Sequence, residues 1–139
     1  MTIARALMTL SAAILFVLGS IHLLYTFRGP KLTPRDPALQ ARMREVALVI
    51  SREANMWKVW LGFNVSHSLG GLLFGLVYGY LALVHPAFLF QSRFLLGVGF
   101  CLLGVYLVLG KVYWFRAPFA GILATFAAYV LSLVAGFIG

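Results

Sequence analysis

Carboxylates are scarce in this chain of 139 residues: Asp36, Glu45 and Glu53 stand against eleven Lys and Arg. All three lie outside the long apolar runs, which excludes a carboxylate proton relay through a membrane. Hydrolytic zinc chemistry is disfavoured on the same ground, because it uses three protein ligands and often a carboxylate base. Cysteine is nearly absent as well. The single Cys101 excludes an intrachain disulfide and reads as a small apolar core residue. No Walker or dinucleotide fingerprint occurs, nor any internal repeat or low-complexity tract. A period-2 apolar alternation, which a membrane barrel needs, is missing too.

What fills the chain instead is hydrocarbon: 63% of its residues are hydrophobic and only 10% are charged. That is too little charge to cover a soluble globule of this size. Four runs contain no Asp, Glu, Lys or Arg: about 6–27, 59–84, 94–110 and 117–138. Each is close to or above the ~20 residues a helix needs to cross the hydrocarbon. Backbone groups in lipid must be paired within the segment, so the runs read as helices rather than strands. The expected fold is an all-α membrane protein, a four-transmembrane-helix bundle forming one membrane domain over 1–139. The first run carries no small-x-small cleavage site and reads as a retained span rather than a signal.

The net charge of +8 invites a nucleic-acid reading, but its placement fits membrane topology and no nucleic acid is expected. With four spans, Arg5 and Arg93 fall on one side. Arg28, Lys31, Arg35, Arg42, Arg44, Arg52, Lys58, Lys111 and Arg116 fall on the other. Short basic connections stay cytoplasmic, so the expected location is a bacterial inner membrane with both termini outside. Arg5 argues the other way and is outnumbered. The basic loop should attract anionic lipid headgroups. Trp57, Trp60, Tyr113 and Trp114 fall at cytoplasmic span ends and read as interface anchors.

Between spans 1 and 2, residues 28–58 should form a cytoplasmic linker and an amphipathic helix. The stretch RGPKLTPRDP carries three prolines and no apolar period, and Asp36-Pro37 then signals a helix start. Leu39, Met43, Val46, Ala47, Ile50 and Ala54 recur at three and four residues, with Leu48 on the wrong side. Carried forward, the stripe reaches Trp57, Trp60, Asn64, His67, Ser68, Gly71, Gly75 and Gly79. Two continuations are open: one long helix, or a bend near Asn55, which is the reading adopted. His85-Pro86 should stop span 2, and Pro118 suits the first turn of span 4.

Two histidines, His22 and His67, lie inside apolar runs, where a polar ring costs free energy unless it is neutral and partnered. At 1.5 Å per residue they sit about 9 Å and 13–14 Å from the cytoplasmic cations Arg28 and Lys58. Asn64, His67 and Ser68 share a face and must point into the bundle, because lipid offers no partners. The candidate ligand-binding group is His22, Tyr25, Trp60, Asn64, His67 and Ser68. Its readings are a hydrogen-bond network fixing span 1 to span 2, a small-ligand or quinone pocket, or haem ligation by the two histidines. No catalytic residue and no other metal site is expected. Gly71, Gly75 and Gly79 form a double GxxxG that lets another helix approach closely, within the bundle or in a homo-oligomer.

The run MWKVWLGFNVSHSLGGLLFG, with GSIHLLYTF before it and PRD in the linker, resembles a family of small bacterial four-helix membrane proteins of unassigned activity. The resemblance implies the fold and an inner-membrane location, and brings no catalytic residues. More loosely the chain looks like the DoxX-type four-helix group, a similarity that implies a redox or quinone association. The expected function is therefore that of a small membrane subunit or binding module, with a His-containing polar pocket in the cytoplasmic half. The alternative is a redox-associated protein binding quinone or haem through His22 and His67.

Overall fold

A computed structural model describes residues 2–138. Six helices account for most of them: α1 (Thr2–Phe27), α2 (Pro37–Glu45), α3 (Met56–Val84), α4 (Pro86–Gln91), α5 (Arg93–Tyr113) and α6 (Arg116–Ile138). Four of these, α1, α3, α5 and α6, are long and apolar enough to cross a membrane. At 21 to 29 residues each, they exceed the roughly 30 Å of hydrocarbon at 1.5 Å per residue. The fold is an all-α, four-span bundle.

The helices overrun the charge-free runs at most ends. α3 takes in Lys58, and α5 takes in Arg93 and Lys111. A charge interrupts hydropathy, but it does not interrupt a hydrogen-bond ladder; caps do that. Ser92 caps α5 by accepting from the Leu95 N–H at 3.3 Å. Asn55 caps α3 by accepting from the Lys58 N–H at 2.9 Å. The short α4 was not foreseen: six residues behind Pro86 are too few to show a period.

The chain forms two compact units, one of residues up to Leu18 with those from Gly71 onward, the other Gly19–Gly70. In the first unit, Met8, Ala12 and Leu15 of α1 join Phe74, Tyr78 and Ala82 of α3 in the core. Leu89 of α4, Leu96, Leu103 and Tyr106 of α5, and Ile122 and Tyr129 of α6 complete it. The spacing by three, four and seven is one face of each helix. The outward faces are apolar too, as at Leu73, Phe94 and Phe137, while Ser11, Thr125 and Ser132 are buried. Such an inside-out distribution suits hydrocarbon and not water.

Close backbone approach and bonds to carbonyls hold this unit. A Cβ on Gly75 would lie 2.6 Å from Phe16 Cβ and 2.9 Å from the Ala12 carbonyl oxygen, so α1 lies directly on it. Gly79 has only ordinary contact with Ala12, at 3.6 Å. Gly99 makes room for the rings of Tyr78 and Tyr129. Tyr78 and Tyr129 donate to the carbonyls of Leu95 and Leu96 at 2.6 and 2.8 Å. Ser11 donates to Thr125 O at 2.9 Å and Ser132 to Ala4 O at 2.7 Å. The Arg5 guanidinium donates to Leu83 O at 2.6 Å. A cation there meets the carbonyl end of α3, which accounts for Arg5 without reference to topology.

Two expectations are corrected. Cys101 is exposed on the outside of α5 rather than buried in the core. Leu96, Gly99, Leu103, Tyr106 and Gly110 take the inward face of that helix, and the helical period puts Cys101 on the opposite side. The helix after Asp36 ends at Glu45, so neither the long continuous helix nor an amphipathic helix reaching Ala54 forms.

Candidate functional site

The second unit begins with the end of α1 and a turn at Gly29, whose φ of +80° is the left-handed backbone that glycine tolerates. Asp36 then accepts from the Ala38 N–H at 2.9 Å, with Pro37 in the first helical position, as its sequence signals. The α2 helix stops where the β-branched Val46, Val49 and Ile50 enter. Asn55 reaches back to donate to the Arg44 carbonyl at 2.8 Å, and the Met56 N–H donates to Val46 O at 2.9 Å. Ala47 and Asn55 form an isolated antiparallel bridge. One asparagine therefore closes the end of α2 and opens α3.

The polar heart of the unit lies between the end of α1 and the start of α3. Asn64, nearly fully buried, donates through Nδ2 to the Trp60 carbonyl at 2.8 Å. A carbonyl can only accept, so the Asn64 amide is oriented and its Oδ1 faces His22 Nε2 at 3.0 Å. His22 Nε2 therefore carries a proton in either charge state. In the neutral ring Nδ1 is the acceptor. His22 and His67 stack edge-to-face, with ring centroids 5.3 Å apart and planes at 85°. The heights read from the sequence are thus equalised by packing.

Of the six expected residues, the structure brings His22, Asn64 and His67 together. Ser68 is buried one turn along, but its hydroxyl is spent on its own helix, donating to Asn64 O at 2.8 Å. Tyr25 and Trp60 turn to the linker. The Lys31 ammonium lies 4.8 Å from the centre of the Tyr25 ring, and Trp60 Nε1 donates to Leu32 O at 3.2 Å. These linker contacts were missed, since nothing in RGPKLTPRDP shows where its carbonyls point. Trp57 lies under the Arg44 guanidinium at 5.0 Å. Trp114 is half-buried beside Tyr106 and packs on Gly110, so it belongs to the bundle as much as to an interface.

The ring geometry bears on ligation. Axial ligands of a haem approach from opposite faces of the macrocycle. Here His22 Nε2 is engaged by Asn64 Oδ1 and the two rings meet edge to face, so the pair as arranged presents no two free nitrogens to opposite sides of an iron. Among the described residues no group of three His, Cys, Asp or Glu could hold a metal ion. Comparison with family models, curated proteins and solved structures returns no match.

Proposed function

We propose that this chain is a small binding module of a bacterial inner membrane, working as a membrane subunit rather than as an enzyme. In this reading the linker 28–58 and the turn before α6 are cytoplasmic and both termini face out. Nine of eleven cations on one side support that orientation. The site is His22, Asn64 and His67, with Ser68 behind them, in the cytoplasmic half. The observation that carries the reading is the oriented His22 ring. Asn64 holds the Nε2 proton, so the neutral ring presents an acceptor of defined direction beside a second imidazole. A small amphiphile with a hydrogen-bonding head, of which a quinone is one class, suits such a pair. The glycines Gly71, Gly75 and Gly79 serve packing, supported by the contact of Gly75 with α1. Anionic headgroups at the linker are the lipid partner, and a membrane protein partner fits the subunit role.

Organic extraction of the protein purified without added cofactor, with mass spectrometry and a visible spectrum, tests the assignment. A small molecule should accompany the wild-type chain and be depleted in His67→Ala, with helicity and size in detergent unchanged. Equal extracts from both proteins would reduce the histidines to a structural link between α1 and α3. A Soret band abolished in His67→Ala would instead install haem. A redox-active quinone in the wild-type extract alone would shift the reading to the redox class.

A further inference from the structure

The segment between α2 and α3 presents apolar side chains where a loop ordinarily carries polar ones. Val49 and Ile50 are 110% and 90% exposed, the two most exposed large hydrophobics in the second unit, while the neighbouring Leu48 is half-buried. On the sequence pattern Ile50 belongs to the apolar stripe and Leu48 falls on its wrong side. The loop is held at its base. The Ala47–Asn55 bridge, the bond from Met56 N–H to Val46 O and the Asn55 bond to Arg44 O close it, and Val49 and Ile50 occupy the bend. Both ends of the linker lead directly into membrane-spanning helices, α1 and α3.

The surrounding charge is one-sided. Residues 28–58 hold seven cations and three carboxylates, a net charge of +4. Two of the three carboxylates are already engaged, Asp36 at the start of α2 and Glu45 with Arg42 at 3.2 Å. Arg44 and Arg52 lie on either side of the apolar tip in sequence, and both are exposed. Exposed apolar side chains next to guanidinium groups match the two layers of an anionic leaflet: acyl boundary and headgroup phosphate.

We infer that this loop is a membrane-surface wedge, with Val49 and Ile50 entering the headgroup–acyl boundary of an anionic leaflet while the flanking arginines hold its phosphates. The inference rests on the orientation proposed above, which puts the linker on the inner leaflet. It explains why the apolar pair sits at the tip of a closed loop rather than inside the unit. It also makes the second unit responsive to lipid composition, because the grip of the arginines depends on surface charge.

The test uses the full chain with Cys101→Ser and Ile50→Cys, labelled with an environment-sensitive fluorophore. It is reconstituted in vesicles of phosphatidylcholine alone, or with about a third phosphatidylglycerol to supply surface charge. With the anionic lipid the emission should shift to the blue and be quenched several-fold more by headgroup-level spin-labelled lipid, and high salt should reverse part of the gain. Phe63→Cys, on the outer face of α3, serves as the bilayer control. Water-like emission at position 50 in both vesicles, with the control reporting bilayer, would overturn the wedge alone. Shielding that appears only in native membranes would also overturn it, in favour of a protein partner. Reaction of Ile50→Cys with an impermeant thiol reagent from outside intact cells would overturn the orientation, and the wedge with it.

Discussion

The two compact units hold their helices by different means. In the first, polar side chains cross from one helix to a backbone carbonyl of another, as Ser11, Ser132, Tyr78 and Tyr129 do, and glycines bring the backbones close. In the second, Thr26, Ser68 and the Asn64 amide turn back onto their own helices. There a bond between two side chains, His22 and Asn64, crosses from α1 to α3. A backbone carbonyl is an acceptor fixed by the helix itself, so bonds to it survive small shifts of side chains. An imidazole–amide bond depends on two rotamers and a tautomer. The first arrangement suits a scaffold, the second a site whose polar groups can be re-partnered by a ligand.

The largest break in this comparison is Gly75→Leu. The atoms in the way are Phe16 Cβ and the Ala12 backbone, which cannot swing aside. A loss of about 3 kcal/mol or more is expected, at the upper end of overpacking costs, read as unfolding in detergent. The size of the particle should not change, because α1 of the same chain covers the glycine; a smaller oligomer would show that Gly75 also works between chains.

Asn64→Leu comes next. It removes the acceptor facing the His22 N–H, with an expected loss of about 1–2 kcal/mol, modest because polar groups in membranes find other partners. Nitrogen-15 spectra of the imidazoles should show the Nε2–H form of His22 lose its dominance. Unaltered His22 nitrogens would refute the tautomer assignment.

Asn55→Ala should cost about 1 kcal/mol as a lost cap. It is distinguished from a general weakening by faster amide exchange at both the end of α2 and the first turn of α3. Exchange confined to one helix would deny the double role of Asn55. The smallest effect belongs to Gly104→Ala, where a Cβ meets nothing within 4 Å. Stability should stay level or rise by a few tenths of a kcal/mol from helix propensity. A clear loss would mean that the open face of α5 is occupied by something beyond this chain.

Much of the architecture could be read before any coordinates. The absence of charge over runs of seventeen or more residues marks the spans, and Asp36-Pro37 marks the start of α2, because hydropathy and capping are local properties. The end of α2 was less legible. Helical spacing continued on paper through Ile50 and Ala54, but the β-branched residues and the Asn55 bond ended the helix at Glu45. Once the backbone left the helix, the angular register lost its meaning: Leu48, off the apolar stripe, is half-buried, while Ile50, on it, is exposed. The same limit applied to Cys101, since a helix apolar on every side carries no marker of its inward face.

Of the candidate site, the residue types were visible and the partnerships were not. His22 and His67 stood out because a polar ring in an apolar run requires a partner. That Asn64 would orient His22, while Tyr25 and Trp60 turned to Lys31 and Leu32, required knowing how α1 and α3 are rotated and tilted. The amino-acid sequence by itself determined that this chain crosses a membrane four times as helices, because unpaired backbone in hydrocarbon admits little else. Only the tertiary structure decided which glycines carry contact, Gly75 and Gly99 but not Gly97 or Gly104, and that the two histidine rings meet. Rotation and tilt are set by packing against neighbouring helices, and no local pattern encodes them.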